Sequence, residues 1–335
     1  MQTAIAAIFV FLLVILLHEL GHFTVAKLVG IKVNEFSIGM GPKIIQRKSD
    51  ETKYTLRLLP IGGYVSMEGE DEKSDDPRGF NKVSPLKRIA VVAAGGIMNF
   101  VLAIIVLTIV AFNIGTPTTI VDEVLENSPA QAAGIQSGDV ISTIDGEDVN
   151  NWQDISVILN SDEIQGLIDV DVIRSGEEFT ISLSPVEEEG VVVMGITSLN
   201  DKSFGAAIVG GFQYTKTFLG LMFQFFGSLF RGEVTTNDFA GPVGVIAEIG
   251  NAAQMGINNL LFLLGFISVN LGFFNLLPIP ALDGSRIIFL LVEMIRGKPI
   301  DPDKEGMVHF IGIVLLLTLM IGITYKDLMR INIFR

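Results

Sequence analysis

The sequence predicts a polytopic α-helical membrane protein with four transmembrane helices, a re-entrant β-hairpin region on the cytoplasmic side and one soluble extracytoplasmic insert. Three observations predict it. The 335 residues are 49% hydrophobic and 18% charged, with mean hydropathy +0.54, too apolar for an ordinary soluble chain and too charged for a bare membrane bundle. Four apolar segments, 4–25, 89–114, 257–277 and 307–323, each approach the roughly 20 residues that a bilayer span requires. Charge is segregated: residues 27–88 hold about half of the Lys and Arg, whereas 114–204 hold only Arg174 and Lys202. Basic loops stay in the cytoplasm, so the 27–88 segment is expected inside and the acidic insert outside.

The first span carries AIAAIFVFLLVILL and is apolar all round, as a helix in lipid is. It lacks a basic n-region and a small-residue cleavage site, so it reads as a retained helix with its N-terminus outside. Next, KYTLRLL (53–59) and YVSMEGE (64–70) flank the break PIGG, which is a hairpin signal. Upstream, FSIGMGPK (36–43) reads as a tight loop on Gly39, Gly41 and Pro42. Irregular backbone survives at membrane depth only where protein or a water cavity covers it, so the functional expectation is a re-entrant strand whose edge meets substrate. Residues 71–78 read as a solvated polar loop. The second span follows Lys87 and Arg88. In the insert, Ser175–Gly176 reads as the turn of a strand hairpin. Segment 204–230 is rich in Phe and Gly, but Gln213, Lys216 and Gln224 interrupt it; an amphipathic helix at the outer interface is expected. The division is then 1–114 for the first two spans with the β region, 115–200 for the insert, 201–255 for the interfacial segment and 256–335 for the last two spans.

The chemistry lies in HELGH at 18–22, inside the first span. A helix puts positions i and i+4 on one face, so His18 and His22 can reach one metal while Glu19 can act as a base on water. A charged side chain at mid-bilayer costs about 2.5–3.5 kcal/mol, and such a cost points to function. The chain has three histidines and no cysteine, which leaves His and carboxylate ligands for zinc. His18 falls about 20 Å along the helix from its outer end, in the cytoplasmic half of the bilayer, so a polar cavity open to the cytoplasm is needed to bring water. Net charge of −14 with so few basic residues outside 27–88 argues against nucleic-acid binding.

A catalytic zinc takes three protein ligands and leaves one position open. Asp283 in NLLPIPALDG is the leading candidate for the third, since Pro278 and Pro280 bend the chain just before it. It could equally be the cap of the helix that follows. Glu293 and His309 are the rivals.

Two resemblances narrow this. The string SPAQAAGIQSGDVISTIDG resembles a bacterial PDZ domain, whose groove takes an extended chain end by strand addition. HELGH, GMGP (39–42), PIGGYV (60–65), the PDZ string, AGPVGVI (240–246) and NLLPIPALDG (275–284) together resemble the site-2 protease family of intramembrane zinc metalloproteases, in the branch of the regulator of sigma-E protease. The chain departs from the pattern in having one PDZ segment where some relatives have two, and Gly96 where relatives often have Pro.

The resemblance implies zinc bound by His18, His22 and Asp283, with Glu19 as catalytic base. It implies substrate contacts from Asn275, Pro278 and Pro280; the strand reading adds Gly62, Gly63, Tyr64 and Val65. It implies single-span membrane protein substrates, such as anti-sigma factors and remnant signal peptides, first trimmed outside by a site-1-type protease. It implies a multi-pass protein of the bacterial cytoplasmic membrane, with the PDZ domain outside and the active site toward the cytoplasm. A catalytically inactive PDZ scaffold and a metal transporter are the alternatives. The first would tend to lose a ligand or Glu19, and the second needs neither Glu19 nor the insert.

Overall fold

The computed structural model describes residues 2–70, 74–161, 166–188, 190–234 and 239–330. Residues 71–73 of the polar stretch lie outside them. The chain divides into two compact units, one formed by residues 1–109 and 211–335, the other by 110–210.

The first unit opens with α1 (Gln2–Leu28), followed by β1 (Val33–Ser49), β2 (Thr52–Met67) and α2 (Pro85–Ile114). The β region differs from the expected hairpin. Segments 53–59 and 64–70 do not pair with each other across PIGG; both lie against β1. Residues 33–38 of β1 pair with 63–67 on one side and with 53–56 on the other, while 43–49 pair with 52–57. The true hairpin turn is at Asp50 and Glu51, where Asp50 takes φ 51°. FSIGMGPK is not a separate loop either. It is a bend within β1, at Gly39 (φ 82°) and Gly41 (φ 83°), where a β-carbon on Gly39 would stand 2.5 Å from Leu59 O. Glycine alone permits that backbone and that approach, so both strands fold back as continuous ribbons.

The second unit contains β3 (Thr116–Val124), α3 (Pro129–Ala133), β4 (Val140–Ile144), β5 (Glu147–Asp148), α4 (Trp152–Leu159), β6 (Ile168–Arg174), β7 (Glu177–Leu183), β8 (Val186–Glu188), β9 (Val191–Val193) and β10 (Ile196–Asp201). Its main sheet runs β10-β3-β4-β6-β7, with β5 paired to β4. Ile168, Val170 and Val172 alternate inward along β6 to meet Ile141, Ile144 and Ile155, the period-two pattern of a strand with one buried face. The β6–β7 turn is at Ser175 (φ 52°) and Gly176 (φ 88°), as the sequence suggests. Ser128 caps α3, and Asn151 with Asp154 forms a capping box on α4.

The chain continues through α5 (Phe204–Arg231), α6 (Pro242–Met255), α7 (Ile257–Leu276), α8 (Asp283–Arg296) and α9 (Pro302–Arg330). Among the described residues, α1, α2, α7 and α9 are long and apolar enough to cross a membrane, and α5 is not one of them. The described residues of segment 201–255 include two helices, α5 and α6. The second packs on α1 and α7 with Ile249 and Gly250 buried, and a β-carbon on Gly250 would stand 2.6 Å from Thr3 Cγ2.

Small residues set the helix crossings around α1 and α2. A β-carbon on Gly21 would overlap Ala94 O, one on Gly96 would lie 2.8 Å from Leu276 Cγ, and one on Gly272 would lie 2.8 Å from Gly96 O. Lipid supplies no hydrophobic drive between helices, so close backbone packing at such residues holds them together. Gly96 therefore serves the α2–α7 approach.

Candidate metal centre

Three ligand-type atoms converge in the first unit. His18 Nε2 and His22 Nε2 each lie 3.3 Å from Asp283 Oδ2 and 3.2 Å from each other. The two histidines sit one turn apart on α1, while Asp283 is the first residue of α8. Pro278 and Pro280 end α7 and turn the chain, with Ala281 at φ 77°. The turn returns so tightly that a β-carbon on Gly284 would overlap Leu277 O. That contact explains the glycine after the aspartate.

Asp283 does not cap its helix: Leu282 is the N-cap and no side chain caps it. Its Oδ2 is buried and makes no hydrogen bond. His22 Nδ1 lies 2.9 Å from Val91 O, a pure acceptor, so Nδ1 carries the proton and Nε2 presents a lone pair. The lone pairs of His22 Nε2 and Asp283 Oδ2 then face one another across 3.3 Å, a gap that a bound cation would bridge. Ligand atoms 2.0–2.1 Å from a tetrahedral zinc stand about 3.3–3.4 Å apart, close to the separations seen. The residues therefore fit zinc. His18, His22 and Asp283 are the cluster of this kind among the described residues.

The rivals for the third position lie elsewhere. Glu293 pairs with Arg88 of α2. His309 lies edge-on to Phe289 at 5.8 Å and 3.9 Å from Glu305 Oε1. A cavity of about 400 Å³ is bordered by Glu70, Arg88, Arg286, Glu293 and His309. The Arg286–Glu70 ion pair there links α8 to the end of the β region.

The other predicted residues are spread along the site. Gly63 lies on β2 beside Glu19: a β-carbon there would be 3.2 Å from Glu19 Cγ and 2.9 Å from Ser37 O. Gly62, at φ 85°, faces Met40. Tyr64 OH accepts from Arg57 Nη2 at 2.5 Å, and Arg57 also donates to Glu35 and Ser37. Val65 pairs with Phe36 and packs on the cluster of Ala26, Ile31 and Val91. Asn275 is buried at the C-terminal end of α7. Pro278 is exposed, and Pro280 packs against α9, where a β-carbon on Gly312 would stand 2.5 Å from it.

Three contributors on α2 escape a reading of motifs alone: Val91, whose carbonyl holds His22; Gly95; and Asn99, whose amide lies 3.4 Å from His18 Nδ1. A β-carbon on Gly95 would overlap His22 Nε2. The three follow i, i+4, i+8 spacing, a single helix face. The small-residue run AAGG (93–96) in an apolar span is the available signal.

Residues 6–319 match the model of peptidase family M50. A protein of Clostridium acetobutylicum is 42% identical over 330 residues, covering 96% of both chains. The zinc metalloprotease RasP of Bacillus licheniformis is 32% identical, covering 99% of this chain and all of its own length (100%). The regulator of sigma-W protease RasP of Bacillus subtilis is 32% identical, covering 98% of this chain and 99% of its own. A solved PDZ domain from Listeria monocytogenes overlaps 25% of this chain and 88% of its own at 20% identity with TM-score 0.22, which assigns no fold. The match over nearly the whole chain makes it a member of peptidase family M50, the site-2 proteases: a multi-pass bacterial membrane protein and a zinc metalloprotease.

Proposed function

We propose that the chain is an intramembrane protease that binds zinc through His18, His22 and Asp283 and cleaves single-span membrane proteins, anti-sigma factors and remnant signal peptides among them. The observation that carries this reading is the buried, hydrogen-bond-free Asp283 Oδ2 facing both Nε2 atoms of the HExxH pair. When bound, zinc polarises the scissile carbonyl and makes water more acidic. Glu19 takes the proton from the attacking water and returns it to the leaving amine. Asn275 hydrogen-bonds the substrate backbone or the oxygen that develops charge, with Pro278 and Pro280 shaping the chain around it.

A transmembrane substrate must unwind before attack, because a helix ties up its carbonyls. Gly62, Gly63, Tyr64 and Val65 supply the replacement partners. Residues 63–67 pair with β1 on one side only among the described strands, and Gly63 brings that segment to Glu19. Water reaches the site from the cytoplasmic side, as hydrolysis requires.

Residues 115–200 act as an extracytoplasmic PDZ domain that turns away substrates still carrying a bulky outer domain, so a site-1-type cut comes first. Its β10 lies at the edge of the sheet, as strand addition needs. Residues 201–255 form the interfacial segment, with the amphipathic stretch 204–230 lying at the outer interface.

The test compares purified wild type, Glu19→Gln and Asn275→Ala on a truncated single-span anti-sigma substrate, with bound zinc assayed in each. Cleavage by wild type alone, with zinc retained in Glu19→Gln, supports the role of Glu19. Cleavage by Glu19→Gln at the wild-type rate removes it. Asn275→Ala is expected to slow turnover about 10²–10³-fold; an unchanged rate removes that role. Zinc in every protein with cleavage in none points to an inactive scaffold.

A further inference from the structure

We propose that Asn99 is a positioning residue: its amide oxygen accepts the Nδ1–H of His18 and so turns His18 Nε2 toward the metal. The proposal rests on the ligand set given above.

Asn99 is fully buried in α2, with its amide nitrogen 3.4 Å from His18 Nδ1 and its Oδ1 without a hydrogen-bond partner. An imidazole that ligates through Nε2 carries its proton on Nδ1 and is a donor there. Facing it with an NH₂ group sets donor against donor. Exchanging the amide nitrogen and oxygen moves no heavy atom. It puts Oδ1 on the Nδ1 proton and leaves no buried acceptor orphaned.

His22 shows the same arrangement with a different acceptor, since its Nδ1 meets Val91 O at 2.9 Å. Val91 and Asn99 stand two turns apart on one face of α2, with Gly95 between them making room for both rings. One helix thus orients both histidines. Asn99 is itself held in place: Ser268 Oγ of α7 donates to its main-chain oxygen at 2.8 Å, and a β-carbon on Gly272 would come within 3.3 Å of its Cβ. Groups that accept from the far nitrogen of a ligating histidine fix its tautomer and raise its basicity, and losing one weakens metal binding about 10–100-fold.

The experiment measures zinc affinity of the purified full-length protein by competition with a chelator, for wild type, Asn99→Leu, Asn99→Asp and His18→Ala, with thermal unfolding of each recorded in the same detergent. Leu keeps the volume but removes the acceptor, and Asp keeps the acceptor. Asn99→Leu is expected to bind zinc about 10–100-fold more weakly, and Asn99→Asp at least as tightly as wild type. Asn99→Ala repeats the comparison without added bulk if the Leu variant does not fold. Wild-type affinity in the Leu or Ala variant, or equal weakening by Asp and Leu, overturns the role of Asn99 alone. Unchanged affinity in His18→Ala overturns the ligand set and this role with it.

Discussion

Gly95 occupies the space beside His22 so closely that a β-carbon there would overlap the Nε2 atom that stands 3.3 Å from Asp283 Oδ2. The absence of one methyl group on α2 is a condition for the imidazoles of α1 to meet the carboxylate of α8.

Gly95→Ala should therefore displace both rings while leaving α2 helical, since Ala is the better helix former. Overpacking of this kind costs about 1–3 kcal/mol, and here it falls on the ligand geometry. The expected result is at least tenfold weaker zinc binding in a protein that still folds. Chelator competition with circular dichroism checks it, and unchanged affinity would show that the rings move aside freely.

Asp283→Ala should weaken zinc binding beyond the roughly 10–100-fold of an outer-shell change, because it removes a proposed ligand. His309→Ala should leave affinity at the wild-type value, since His309 faces Phe289 and Glu305 instead. Zinc content after dialysis against chelator separates the two. Equal loss in both variants would contradict the assignment.

The strand edge predicts an alternation. Successive N–H groups of a strand point to opposite sides, so of Tyr64 and Val65 one faces β1 and the other faces the open edge. Proline removes a donor without adding one. Proline at the outward position, tried at Val65 first, should impair cleavage while zinc stays bound; proline at the inward position should disturb the β region itself. Normal turnover in both variants would exclude edge pairing with substrate.

Asp139 predicts a pH dependence in the second unit. Burial pushes its carboxyl up, but the Arg174 guanidinium, with both contacts at 2.7 Å, and the Gln136 N–H at 2.8 Å outweigh it and hold it below the usual carboxylate range. A folded pKa below the unfolded one contributes stability that is fully present above the ordinary carboxylate value, roughly 4, and lost as pH falls through the depressed one. Trp152, the chain's one tryptophan, packs on this unit's core, so its fluorescence reports unfolding there. Asp139→Ala should destabilise the unit by about 2 kcal/mol at neutral pH and flatten the acid limb of the profile. An acid limb identical to wild type would assign it to other carboxylates.

The spans and the HExxH pair were legible because each carries a local signal. A run of apolar residues is long enough to cross lipid, and i, i+4 histidines share a helix face whatever surrounds them. The β region was only half legible. PIGG and the GMGP glycines mark bends, but which strand each arm joins is a long-range matter. Val33–Ile38 ends up between two arms of β2, and no propensity within either arm encodes that. The same holds for Asp283, where sequence alone leaves a helix cap and a metal ligand open.

By itself the sequence determined the four apolar helices, the shared helix face of His18 and His22 around Glu19, and the separation of a charged insert from the spans, because hydropathy and helical periodicity act over a few residues. Only the tertiary structure decided that Asp283 faces the histidines while Glu293 and His309 do not. It likewise decided that Gly63 brings a strand to Glu19, and that Val91, Gly95 and Asn99 form the face of α2 on which the histidines rest. These depend on how closely helices far apart in sequence approach, and that approach is set by which backbone positions lack a side chain.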